Sequence, residues 1–126
     1  MDIFPCPYDE GVTVLIVTQE DLEYEQLIPH FKVAGFAFTV LGAEPQTIII
    51  DGEAIKEEWF TDDHLEIIMA HELGHLRTNS EDELTADQAG FDILVKHGAP
   101  ESAISLYALE IQARYCITQE NLESHK

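Results

Sequence analysis

Thr61-Asp62-Asp63-His64-Leu65-Glu66-Ile67-Ile68-Met69-Ala70-His71-Glu72-Leu73-Gly74-His75-Leu76 is the stretch on which the reading of this chain turns. Thr61 is an N-cap candidate, and Asp62 and Asp63 place acids in the first turn, where they suit the helix dipole. Apolar residues then recur at Leu65, Ile68, Met69, Leu73 and Leu76, a helical spacing. On that helix His71 and His75 project from one face, one turn apart. Two imidazoles so placed can both reach one zinc ion at ~2.0–2.1 Å. Glu72 is turned about 100° from His71, out of the ligand set but beside an open position on the metal. There it can take a proton from a metal-activated water and later deliver it to a leaving amine. Gly74 costs about 1 kcal/mol of helix propensity, which implies that something packs close to it. With 6 His and 16 Glu in 126 residues, chance supplies an H-E-x-x-H match only about 0.04 times in such a chain.

A hydrolytic zinc site takes three protein ligands and leaves one position for water. The next helical pattern runs from about Asp82 to Lys96 and contains Glu83-Leu84-Thr85-Ala86-Asp87, an E-x-x-A-D pattern. Glu83 and Asp87 stand at i and i+4 and share a helix face, while Ala86 and Gly90 are small enough to let two helices approach. Glu83 is therefore the expected third ligand. Asp87 is expected to accept a hydrogen bond from the distal N–H of one ligand histidine, fixing its tautomer. The competing reading is an acidic helix N-terminus that serves the dipole. Glu81 is a minor alternative ligand. It sits where an H-E-x-x-H-x-x-G-x-x-H pattern puts its third ligand, but position 78 holds Thr78 rather than Gly. Asn79 tolerates positive φ and could make the turn one residue late.

Outward from this core, Val12–Val17 and Gln46–Asp51 are rich in β-branched residues and read as strands, and Val33–Val40 reads as another. A short helix is expected over Asp21–Ile28, ending at or before Pro29. His97-Gly98 stops the Asp82–Lys96 helix, and Pro100 opens a third through about Ile117. Residues 119–126 read as a polar, frayed tail. Strands first and helices second make an α+β chain, a small sheet of about three strands packed on the His71 helix and two further helices. Residues 1–126 read as one domain, mainly sheet over 1–60 and helical over 61–118.

Twenty-five acidic residues stand against 6 basic ones, a formal net charge of -19. Such a surface repels phosphate backbones and anionic lipid, so nucleic acid and membrane are not expected partners; basic partners or cations are favoured. Met1–Pro5 has no basic or apolar signal region, and no apolar run approaches a membrane span. A cytoplasmic location is expected, with Cys6 and Cys116 as reduced thiols. His64 reads as a surface or capping residue, too far from His71 along the axis to share a metal. His97 suits a helix C-terminus, and His30 and His125 show no partner.

HELGH preceded by Ile67-Ile68-Met69-Ala70 and followed by E-x-x-A-D at the start of the next helix resembles the gluzincin metallopeptidases. It is most similar to compact ImmA/IrrE-type and minimal gluzincin domains, over about Thr47 to Val95. That resemblance implies a minimal zincin-like fold, one Zn2+ per chain on His71, His75 and Glu83, and Glu72 as general base. It also implies that an edge strand before the active-site helix, here Thr47, Ile48, Ile49 and Ile50, pairs with an extended peptide. Gluzincins often give the oxyanion a Tyr, His or Arg, which makes Tyr107, Tyr115 and Arg77 candidates; for the tyrosines a packed aromatic is the simpler reading. The implied activity is hydrolysis of a peptide or protein substrate by an endopeptidase. Only seven residues separate His75 from Glu83, a short connection that also fits a non-proteolytic zinc-containing binding or regulatory module. A metal-free fold with a chance motif is a third reading. Substrate identity and oligomeric state are not written in the sequence.

Overall fold

The computed structural model describes the backbone of residues 1–124 and the side chains of residues 1–114. The elements follow as β1 (Asp2–Cys6), β2 (Asp9–Val17), α1 (Tyr24–Ala34), β3 (Ala37–Thr39), β4 (Thr47–Asp51), α2 (Gly52–Ile55), α3 (Asp62–Thr78), α4 (Glu83–Lys96) and α5 (Glu101–Ser124). The fold is α+β, as its sequence implies, with four strands rather than three. Tyr115, Cys116 and His125, each singled out above, lie outside the described side chains.

The sheet order is β1-β2-β4-β3. β1 and β2 form an antiparallel hairpin, β4 runs parallel to β2 in the register Val14↔Ile48 and Ile16↔Ile50, and β3 closes the sheet antiparallel to β4. This overturns the placing of Thr47–Ile50 at an edge. β4 is bonded on both sides, with Ile48 and Ile50 completely buried, so its backbone has no free row of donors and acceptors for a peptide. A run of three isoleucines is the composition of an interior strand. The free edge beside the helical layer belongs to the three-residue β3.

Two other expectations shift. The Val33–Val40 strand begins only at Ala37, because α1 continues to Ala34 through Pro29. A proline there forfeits one helix hydrogen bond. The helix persists because Phe31 beyond it is buried against Tyr24 and Phe38. The tail is helical to Ser124, since no Gly or Pro interrupts the chain after Pro100. β1 was invisible in sequence because Pro5 and Asp2 disguise a short edge strand.

α3 lies across the sheet and carries the core. Thr61 caps it in a capping box with His64, and Asn79, at φ 49°, ends it in the left-handed conformation. Ile67, Met69, Ala70, Leu73 and Leu76 join Val12, Val14, Ile48 and Ile50 in one apolar cluster. Cys6 is buried in the same cluster, where burial pushes its thiol up to about 11, a structural cysteine rather than a nucleophile. α4 crosses α3 so closely that a Cβ on Gly74 would run into the Ala86 carbonyl, and one on Gly90 would lie 2.9 Å from the Ala70 carbonyl oxygen. The close packing implied by Gly74 is thus a helix crossing with backbone in contact with backbone. No helix among the described residues is long and apolar enough to cross a membrane.

Gly74→Ala tests this crossing. In an open helix it would gain about 1 kcal/mol of propensity, but forcing α4 away should cost about 1–3 kcal/mol. Thermal unfolding should show a lowered midpoint; a raised one would mean that the helices are not held at contact.

Candidate metal centre

His71 and His75 leave the same face of α3, and their Nε2 atoms are 3.2 Å apart. The crossing of α4 brings Glu83 to the same point: its carboxylate oxygens lie 2.9 Å from His71 Nε2 and 3.2 Å from His75 Nε2. Donors at ~2.0–2.1 Å from a tetrahedral ion stand about 3.3 Å from one another. The Nε2–Nε2 separation and the two carboxylate contacts, one from each Glu83 oxygen, are of that order. Glu72 lies beside the same point: His71, Glu72 and His75 offer ligand atoms within 4.8 Å of one another, close enough to hold a metal ion.

The distal nitrogens explain which way the rings face. His71 Nδ1 lies 2.8 Å from Asp87 Oδ1, and His75 Nδ1 lies 2.7 Å from the Ser80 carbonyl oxygen. Both acceptors keep a proton on Nδ1, which leaves the Nε2 lone pairs facing each other and the Glu83 carboxylate. Three electron-rich groups at that distance repel unless a proton or a metal ion sits among them. A proton on His71 Nε2 can satisfy Glu83, but it leaves His75 Nε2 facing the same carboxylate. The residues present therefore fit a metal ion.

Local sequence sets these anchors. Asn79 turns the chain, so that Ser80 N–H bonds back to the His75 carbonyl while the Ser80 carbonyl accepts from the His75 ring. Asp82 caps α4 by accepting from Thr85 N–H and Thr85 Oγ1, which starts the helix at Glu83. Glu81, the alternative ligand, is exposed ahead of that cap and meets neither imidazole; Glu83 does. Asp87 is fully buried, and its Oδ1 also accepts from the Tyr107 hydroxyl at 3.0 Å and from Arg114 at 3.3 Å.

Tyr107 is thus a core residue bonded behind His71, not an oxyanion partner. Arg77 bonds to the Tyr8 carbonyl and faces Asp9 at the β1–β2 turn. His64 caps its own helix, His30 stacks on Phe38, and His97 meets Tyr8 edge-on. Arg114 and Ser80 were missed. Arg114 follows Tyr107 by seven residues, two turns along the same face of α5, and that spacing was the available signal. Ser80 acts through its backbone, which no side-chain motif reveals.

A cleft of about 660 Å³ opens over the centre. Residues Val33 to Thr39 and Leu41 form one wall, Ile67 and Ile68 lie with the histidines and Glu72 on α3, and Glu81, Glu83, Glu110 and Arg114 supply the charged wall. Glu72 is only 7% exposed. Burial raises its carboxyl above the ordinary glutamate range, against the opposing charges of His71 and His75. No protein-family model matches the chain, nor does any curated protein or solved structure.

Without metal, the His71–Asp87 contact should shape stability against pH. Burial pulls His71 down, but the Asp87 hydrogen bond and the charges of Glu72, Asp87 and Glu83 hold it above its ordinary value. Burial pushes Asp87 up, but His71, Arg114 and Tyr107 hold it below the usual aspartate range. A raised histidine contributes stability that is complete below its unfolded value and lost as pH rises through its folded value. A depressed aspartate contributes stability above its unfolded value and loses it as pH falls through its folded value. The contribution of the pair is therefore largest between roughly pH 4 and roughly pH 6.5. Asp87→Asn should lower metal-free stability in that window by about 1.5–3 kcal/mol and flatten both limbs. Unfolding midpoints measured across pH check this; equal losses at pH 5 and pH 9 would contradict it.

Proposed function

We propose that the protein is a zinc-dependent metallopeptidase of gluzincin type. The observation that carries this reading is the triangle of His71 Nε2, His75 Nε2 and the Glu83 carboxylate, with edges of 2.9–3.2 Å, beside a buried Glu72 in an open cleft. Two imidazoles and one carboxylate are the donor set of a hydrolytic zinc site rather than of a closed structural one. When bound, zinc supplies Lewis acidity that brings the ionisation of water near neutral pH and polarises a carbonyl.

The chain's own residues supply the rest. Asp87 and the Ser80 carbonyl hold both imidazoles in the Nδ1–H tautomer, so that each presents Nε2 to the ion. Glu72 is the general base. Its raised proton affinity suits it to take a proton from the attacking water and return it to the departing amine. β3 is bonded to β4 along one edge only and lines the cleft. Its unpaired edge is where an extended peptide would add as a further strand, the role β4 cannot fill. The substrate is accordingly a peptide or an unfolded protein segment.

Glu72→Gln should keep a single zinc per chain and lower peptide cleavage by about 10²–10⁴-fold, whereas Glu83→Ala should lose zinc to a chelator that leaves the wild type loaded. Metal analysis and digestion of a peptide library with a chelator control measure both. A Glu72→Gln protein that cleaves at the wild-type rate would sink the proposal.

A further inference from the structure

The cleft has two walls of opposite character. On one, Val33 and Phe36 stand 91% and 46% exposed beside Phe38, large apolar side chains that water covers poorly. On the other, Glu81 in the turn between α3 and α4 and Glu110 on α5 face the same space. Among the described residues no hydrogen bond or ion pair engages either carboxylate, while Glu83 is committed to the histidines and Asp87 to His71, Tyr107 and Arg114. Among the described residues no hydrogen bond or ion pair engages Glu72 either, although it is more than nine-tenths buried and opens onto this cleft. Among the described residues, Arg114 is the one Lys or Arg in the lining, and it meets Asp87. The chain as a whole carries a net charge of -19, so its field adds to the local one.

We propose that this cleft selects polypeptide segments in which an apolar side chain lies within a few residues of a lysine or arginine. The apolar residue is taken by the Val33–Phe36–Phe38 wall and the cation by Glu81 and Glu110. This rests on the peptidase reading and names its substrate class. A segment rich in Asp or Glu is rejected by the same carboxylates, since like charges brought into a partly dry cleft raise the energy of the complex.

Three fluorogenic peptides with one common apolar core, flanked by Lys, by Ala or by Glu, test the idea on the zinc-loaded chain. The Lys peptide should be cleaved with a kcat/KM at least about tenfold above that of the Glu peptide at about 0.01 M salt, and the ratio should shrink at about 0.15 M. The double change Glu81→Gln with Glu110→Gln should lower the ratio, and replacing the apolar residue by Ser should weaken the Lys peptide. Fluorescence anisotropy on zinc-loaded Glu72→Gln protein gives the binding order independently of cleavage. Equal cleavage of all three peptides overturns the selectivity and leaves the peptidase reading standing. Absence of cleavage together with Lys-selective binding overturns the peptidase reading and supports the selectivity. Neither cleavage nor binding of any peptide overturns the selectivity.

Discussion

The contact of Gly74 on α3 with the Ala86 backbone on α4 sets the distance between the two helices, and most of the site follows from that distance. Five residues after Gly74, Asn79 reverses the chain; three residues before Ala86 stands Glu83, and one after it stands Asp87. With the helices at backbone contact, Glu83 reaches both Nε2 atoms and Asp87 reaches behind His71 to its Nδ1. A side chain at position 74 would move both carboxylates at once. The requirement is steric, and it explains why a residue that costs helix stability stands inside the helix that carries His71 and His75.

Charge is arranged in layers around that crossing. Asp87, wholly buried, gathers a histidine, a tyrosine and an arginine on one oxygen, which offsets the cost of burying a carboxylate. Glu83 is exposed and reaches inward, so its geometry depends on what sits between it and the imidazoles. Glu72 lies between these extremes, desolvated by α3 and its neighbours but open to the cleft. Three carboxylates within one small volume thereby take up three environments.

The α3 helix, its cap at Thr61 and the placing of Glu83 and Asp87 beside the histidines were legible because each rests on local spacing within one helix or between two adjacent ones. The α+β class was legible for the same reason. What was not legible depends on contacts distant in sequence. The isoleucine run of Thr47–Ile50 suits an interior strand, but which strands flank it depends on β2 and β3 pairing on opposite sides. Pro29 argues for a helix end, and only the burial of Phe31 against Phe38 overrides it. Arg114 meets Asp87 across 27 residues, and Ser80 contributes a carbonyl, which every residue possesses. Tyr107 was read as core, which it is, but its hydroxyl also bonds to the aspartate behind His71, a role that required the fold.

The most direct measurement is a crystal structure of the zinc-loaded chain with anomalous scattering recorded at the zinc edge. It should show one strong peak bounded by His71 Nε2, His75 Nε2 and the Glu83 carboxylate, at ~2.0–2.2 Å from each, with Asp87 still on His71 Nδ1. A peak held by other residues, or no peak among these three at full zinc loading, would contradict the metal centre on which the functional reading stands.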